Sequence, residues 1–180
     1  MSRLPEGRLE LALPDKAPRY TRGEAITEAN RCIYCSAAPC VAARPTGVDI
    51  PTFIHKIATD NVESSARTIF ESNILGMSCA RVCPVEVLCA GSALSIVWGR
   101  PPIEIGRLQR YATENGLAAD PALLSKHKEP STGKRVACIG AGPASLAAAG
   151  HLALDGHSVT IFEKRAYPGG LNTTGLAPYK

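Results

Sequence analysis

Through the first two thirds of the chain, apolar positions recur every three or four residues, the period of helices that bury one face. "TRGE" at 21–24 has the form of a capping box, with Thr21 as N-cap and Glu24 placed to reach back. The helix it opens runs toward Cys32. Pro51 suits the first turn of a second helix, which puts Phe53, Ile54 and Ile57 on one side. Asn61 can cap a third, whose Val62, Ala66, Ile69 and Phe70 form an apolar stripe. A fourth, in "IEIGRLQRYATEN", spaces Ile105, Leu108, Tyr111 and Ala112 helically and is expected to stop at Gly116. Residues 117–133 mix Pro, Ser, Lys and Gly and read as a linker with room for one short helical turn.

From Lys134 the period changes. "KRVACIGAGPASLAAAGHLALDGHSVTIFEK" reads as a strand, a glycine turn, an Ala/Leu-rich helix and a second strand ending at Glu163. That is a βαβ unit whose strands pair in parallel. The expected architecture is a mainly α domain over residues 1–125, then an α/β, Rossmann-like unit over 126–180. The second is too short to complete a nucleotide-binding domain, so a fragment, or a chain completed by another, is expected.

Composition agrees with a globular protein: of 180 residues, 45% are hydrophobic and 20% charged. Three Phe, five Tyr and one Trp leave the cores to aliphatic side chains. The net charge of +4 is spread without runs, which gives no reason to expect nucleic acid or a membrane surface as partner. The start of the chain lacks the apolar stretch of a signal peptide, and no apolar segment is long enough to span a bilayer. A cytoplasmic location is expected. Six of the seven cysteines crowd between positions 32 and 89, which in a reducing compartment argues for metal over disulfides.

"GAGPAS" places Gly140 at a tight strand-to-helix turn and Gly142 where backbone can approach a pyrophosphate. Ser145 takes the third small position. The helix N-terminus favours phosphate there, and Glu163 stands where an acid accepts ribose hydroxyls and repels a 2′-phosphate. "PGGLNTTG" after the acid favours FAD over NAD. The cysteines form two groups, Cys32, Cys35 and Cys40, then Cys79, Cys83 and Cys89. Pro45 and Pro84 follow Arg44 and Cys83, as Pro follows the last cysteine of bacterial ferredoxin motifs. Each group is short of one cysteine, at Arg44 and at Ala93. A zinc half-site at Cys32 and Cys35, or simply buried thiols, are the other readings of these residues.

Taken together, "EANRCIYCSAAPC", "GMSCARVCPVEVLCAGS", "PIEIGRLQRYATE" and the βαβ segment resemble the flavin and iron–sulfur electron-input module of dihydropyrimidine dehydrogenase, shared with the small subunit of glutamate synthase. The resemblance implies FAD, held through Gly140, Ala141, Gly142, Pro143, Ala144, Glu163, Leu171 and Lys180. It also implies two [4Fe–4S] clusters. One would use the thiols matching Cys32, Cys35 and Cys40, with a cysteine at the place of Ala93. The other would use a cysteine at the place of Arg44, the thiols matching Cys83 and Cys89, and the amide of Gln109. Cys79 matches a cysteine that is not a ligand. The implied partners are the remaining FAD and NAD(P)H domains and an FMN-containing subunit or domain that reduces uracil or thymine. No residue here is expected as a general acid or base. Because Arg44 is cationic and donor-only and Ala93 has no donor, a docking module with incomplete or empty clusters is the rival reading.

Overall fold

The computed structural model describes residues 6–125, 128–177 and 179. The chain divides into two compact units: Arg19–Leu124, and the segment up to Pro18 together with Ser125 onward.

The first unit is helical: α1 (Arg22–Ala29), α2 (Pro39–Ala42), α3 (Ile50–Ala58), α4 (Val62–Ser72), α5 (Gly76–Val82), α6 (Leu94–Val97) and α7 (Ile105–Ala119). The capping box at Thr21 and Glu24 forms in full, with each side chain satisfying the other residue's backbone N–H. Asp49 caps α3 through the backbone N–H of Thr52, and Asn61 caps α4 through that of Ser64. Pro51 lies in the first turn of α3, where its missing N–H costs nothing.

Ile50, Phe53, Ile54 and Ile57 of α3 meet Ile105, Leu108 and Ala112 of α7, with Ile69 of α4 and Ala25 and Ala29 of α1 closing the same core. Each large aliphatic side chain buried here contributes about 1.5–3 kcal/mol relative to exposure. Ser65, fully buried, gives its hydroxyl proton to the Phe53 carbonyl at 2.8 Å, so even the polar member of the α3–α4 seam is satisfied.

The fourth helix does not stop at Gly116 but runs to Ala119. Gly116 serves packing there, because a Cβ on it would collide with the Ala66 Cβ of α4. Leu123, in the expected linker, is buried against Ala66 and Phe70. Two short helices that periodicity did not reveal, α5 and α6, frame the second cysteine group and position 93.

In the second unit β1 (Arg135–Ile139) and β2 (Ser158–Phe162) pair in parallel, Arg135 opposite Ser158 and Ile139 opposite Phe162. The connection between them is α8 (Pro143–Leu154), and α9 (Leu171–Thr174) follows the second strand. The sheet and α8 leave much apolar surface open: Ile139 is 82% exposed, and Phe162 is also exposed. Cys138, expected in a core, is only half-buried, because α8 packs lightly against this short sheet. Among the described residues no helix is long and apolar enough to cross a membrane.

Gly116→Ala should destabilise the helical unit by about 1–3 kcal/mol through forced separation of α4 and α7. Gly23→Ala, with nothing near the added methyl, should instead stabilise it by about 0.5 kcal/mol. Urea unfolding of the two variants followed by circular dichroism checks both signs.

Candidate functional site

The first cysteine group lies in the turn that leaves α1. Two non-glycine residues there adopt left-handed backbone: Tyr34, at φ 52°, and Ala38, at φ 34°. Such conformations are costly for L-residues and are held only where the surroundings demand them. They fold the segment between Cys32 and Cys40 back on itself, with Cys40 carried on α2 behind Pro39. As a result Cys32, Cys35 and Cys40 line one cavity of about 370 Å³. Ala93, the N-cap of α6, lines the same cavity, as do Ile50, Ile54 and Trp98.

Arg31 closes one wall by donating to the Pro101 and Pro102 carbonyls, and it pairs with Glu28 at 2.6 Å. Glu28 in turn accepts the Glu104 backbone N–H at 2.9 Å, which anchors the start of α7. Burial pushes the Cys32 thiol up, against the backbone N–H groups of Tyr34 and Ile33 that favour its thiolate. The Cys40 thiol is pushed up to about 11, mainly by burial and then by Cys32, with the Val41 N–H acting in the opposite sense.

Among the described residues no three Cys, His, Asp or Glu side chains close around a single point as one ion requires. Three sulfurs set around a common space, with amide donors beside them, suit a larger inorganic unit whose corners are separate. The donor set fits a cluster held by three thiolates, with the Ala93 side facing no protein donor at that position.

The second cysteine group is built differently. Gln109, on the inner face of α7, is 1% exposed, although its residue type alone would place it in solvent. Its Nε2 donates to the Gly76 carbonyl at 2.7 Å, and its Oε1 accepts from Arg44 Nη2 at 2.8 Å. Arg44 is itself buried, with Nη2 also 3.7 Å from Cys79 Sγ and Nη1 without a hydrogen-bond partner among the described residues. Burial and the neighbouring Cys79 push the Cys83 thiol up to about 11, and the Arg44 charge opposes both. Cys89, buried on the core, is likewise pushed up by burial and drawn back by Arg44. Gln109 and Cys79 therefore stand against a guanidinium. This donor set does not fit a cluster, because both ends of the amide are used and a fixed cation lies beside it.

In the second unit the glycine turn has the expected form. Gly140 has φ 87°, and Gly142 is the N-cap of α8 with no side chain capping it and Pro143 at the first helical position. Ala141 is buried beneath the turn, whereas Ala144 is exposed at the start of the helix. Glu163, distant in sequence, accepts the Ala141 N–H at 2.7 Å and the Arg165 N–H at 2.8 Å. These donors, Arg165 first, hold its carboxyl below the usual carboxylate range. The "PGG" turn returns to the same place: Gly169 N–H donates to the Ala141 carbonyl at 2.8 Å, and a Cβ on Gly170 would lie 3.0 Å from Gly142 Cα. Leu171 begins α9 directly after this contact and is largely exposed. Lys180 lies outside the described residues.

Comparison with known proteins matches residues 12–120 to the family described as dihydropyrimidine dehydrogenase domain II, 4Fe-4S cluster. The chain belongs to that family. Residues 138–177 match the NAD(P)-binding Rossmann-like domain. The NAD-dependent dihydropyrimidine dehydrogenase subunit PreT of Escherichia coli (strain K12) is 41% identical over 168 residues, covering 93% of this chain and 40% of the relative. The PreT homolog of Salmonella typhi is 41% identical over 169 residues, with the same coverage. The chain thus spans about 40% of the length of the curated relatives it matches.

For a member of this domain II family, the features that sequence reasoning missed are the ones that hold the site in shape. These are the left-handed Tyr34 and Ala38, the Gly76 carbonyl that fixes Gln109, and the Arg31 wall. None carries a local signal except Gly76, whose close approach to Ile69 requires a residue without a side chain. Gln109→Ala leaves a buried charge and the Gly76 carbonyl unpaired and should cost about 2–3 kcal/mol of stability. Gln109→Glu, which still accepts from Arg44, should cost less. Chemical denaturation at neutral pH separates the two.

Proposed function

We propose that this chain is the electron-transfer module of an NAD(P)H-dependent oxidoreductase of the dihydropyrimidine dehydrogenase type. The observation that carries the reading is the convergence of Cys32, Cys35 and Cys40 on one cavity inside a domain II fold. A [4Fe–4S] cluster bound there supplies one-electron chemistry. The chain's own work is to hold it: three thiolates ligate, the Ile33, Tyr34 and Val41 amides donate toward the sulfurs, and Ile50 and Ile54 limit water.

The glycine turn at Gly140–Ala144 receives a dinucleotide pyrophosphate on the α8 N-terminus, and Glu163 keeps lone pairs for ribose hydroxyls. FAD is the dinucleotide we propose. The support is the backbone of Gly169 and Gly170, which packs on the glycine turn as a second layer of the phosphate loop. Leu171 and Lys180 complete the proposed contact set. Electrons then pass from NAD(P)H, bound by further domains, to a partner that carries FMN and reduces uracil or thymine. In that role the chain contributes no general acid or base.

Anaerobic reconstitution of the chain with iron and sulfide should give a brown protein with a broad band near the blue edge of the visible spectrum. Cys32→Ser, Cys35→Ser and Cys40→Ser should each reduce the iron retained after gel filtration to a small fraction. A colourless, iron-free wild type would favour the docking reading instead. Glu163→Gln should weaken FAD binding about tenfold, read by flavin fluorescence quenching. Tighter binding of NADH than of FAD would overturn the flavin assignment.

A further inference from the structure

Cys79, Cys83, Cys89 and Gln109 form a second concentration of soft and amide donors, on α5, on the loop after it and on α7. Such a set would ordinarily be read as a metal site. Within it, however, lies the Arg44 guanidinium, 7% exposed, 2.8 Å from Gln109 Oε1 and 3.7 Å from Cys79 Sγ. We infer that Arg44 is a built-in plug: its fixed charge takes the place of an inorganic cluster, so this chain carries one cluster, at Cys32, Cys35 and Cys40, and none at the second group.

Three physical points carry this. A guanidinium cannot lose its proton at any pH the fold survives, so it never becomes a ligand. The one Gln109 atom able to ligate is already accepting a charge-assisted hydrogen bond, and the Gly76 carbonyl holds the amide in that orientation. The buried guanidinium also takes up the room beside Gln109 Oε1 and Cys79 Sγ that an inorganic cube would need. The guanidinium also has a structural task, because it joins the loop after α2 to α7 and α5, work that a cluster bridging these segments would otherwise do.

The inference rests on the electron-transfer reading only for the first site, and the experiment separates the two. Iron and acid-labile sulfide are measured per chain after anaerobic reconstitution, with electron paramagnetic resonance of the reduced sample. Wild type should hold about four iron atoms, one cube. Cys83→Ser combined with Cys89→Ser should leave that number unchanged. Arg44→Cys, which removes the cation and adds a soft donor, should about double it and split the resonance by coupling between two clusters. About eight iron atoms in wild type, a halving in the double serine variant, or no gain in Arg44→Cys overturns the plug.

If no form takes up iron, the electron-transfer proposal fails, and the plug is judged on the metal-free chain. Arg44→Ala and Gln109→Ala should then be non-additive, the double variant being no less stable than the worse single one. Additive losses would overturn the plug there too.

Discussion

The burial of α7 is the constraint on which the helical unit depends. One face of this helix supplies Ile105, Leu108 and Ala112 to the aliphatic core, Gln109 to the second cysteine group and Gly116 to the closest approach of α4. A side chain cannot be moved along such a helix without disturbing both core and site. The short helices around it, the cysteine-bearing α2 and α5 and the α6 that follows Ala93, have four, seven and four residues and could not persist alone. They hold their shape because the α1–α3–α4–α7 core fixes the points from which they depart.

The two cysteine groups show how one such framework serves opposite ends. Around Cys32, Cys35 and Cys40 the backbone is bent at some cost, the amides point toward sulfur and a space is kept. In the second group a buried guanidinium lies between Gln109 and Cys79, its desolvation offset through the Gln109 Oε1 and the Cys79 sulfur. Membership of the domain II family describes the fold shared by the two groups; they differ in having Arg44 and Ala93 at the two positions without a cysteine.

The glycine turn illustrates a third kind of constraint. Glu163 is read from sequence as a ribose-binding acid, yet it also braces the turn by accepting the Ala141 N–H. Gly170 is required because the returning chain lies directly on Gly142, and Gly169 because a Cβ there would collide with the Thr173 side chain. The carboxylate is thus already oriented by backbone donors before any ligand arrives, which lowers the ordering cost of binding.

Local sequence was sufficient where the physics is local. Helix caps at Thr21 and Asn61, the stripe on α4 and the strand–turn–helix at Gly140 depend on neighbours a few residues away, so they were legible without coordinates. The motif spacing likewise pointed to the family. Local pattern misread Gly116 as a stop, since a glycine tolerated inside a helix looks like a terminator until the helix packed against it is known. It could not say whether Gln109 was buried, or whether Arg44 was a surface charge or an occupant of the second site. Those answers depend on residues brought together across 33 and 65 positions of chain, and only tertiary packing sets which donors share a low-dielectric space.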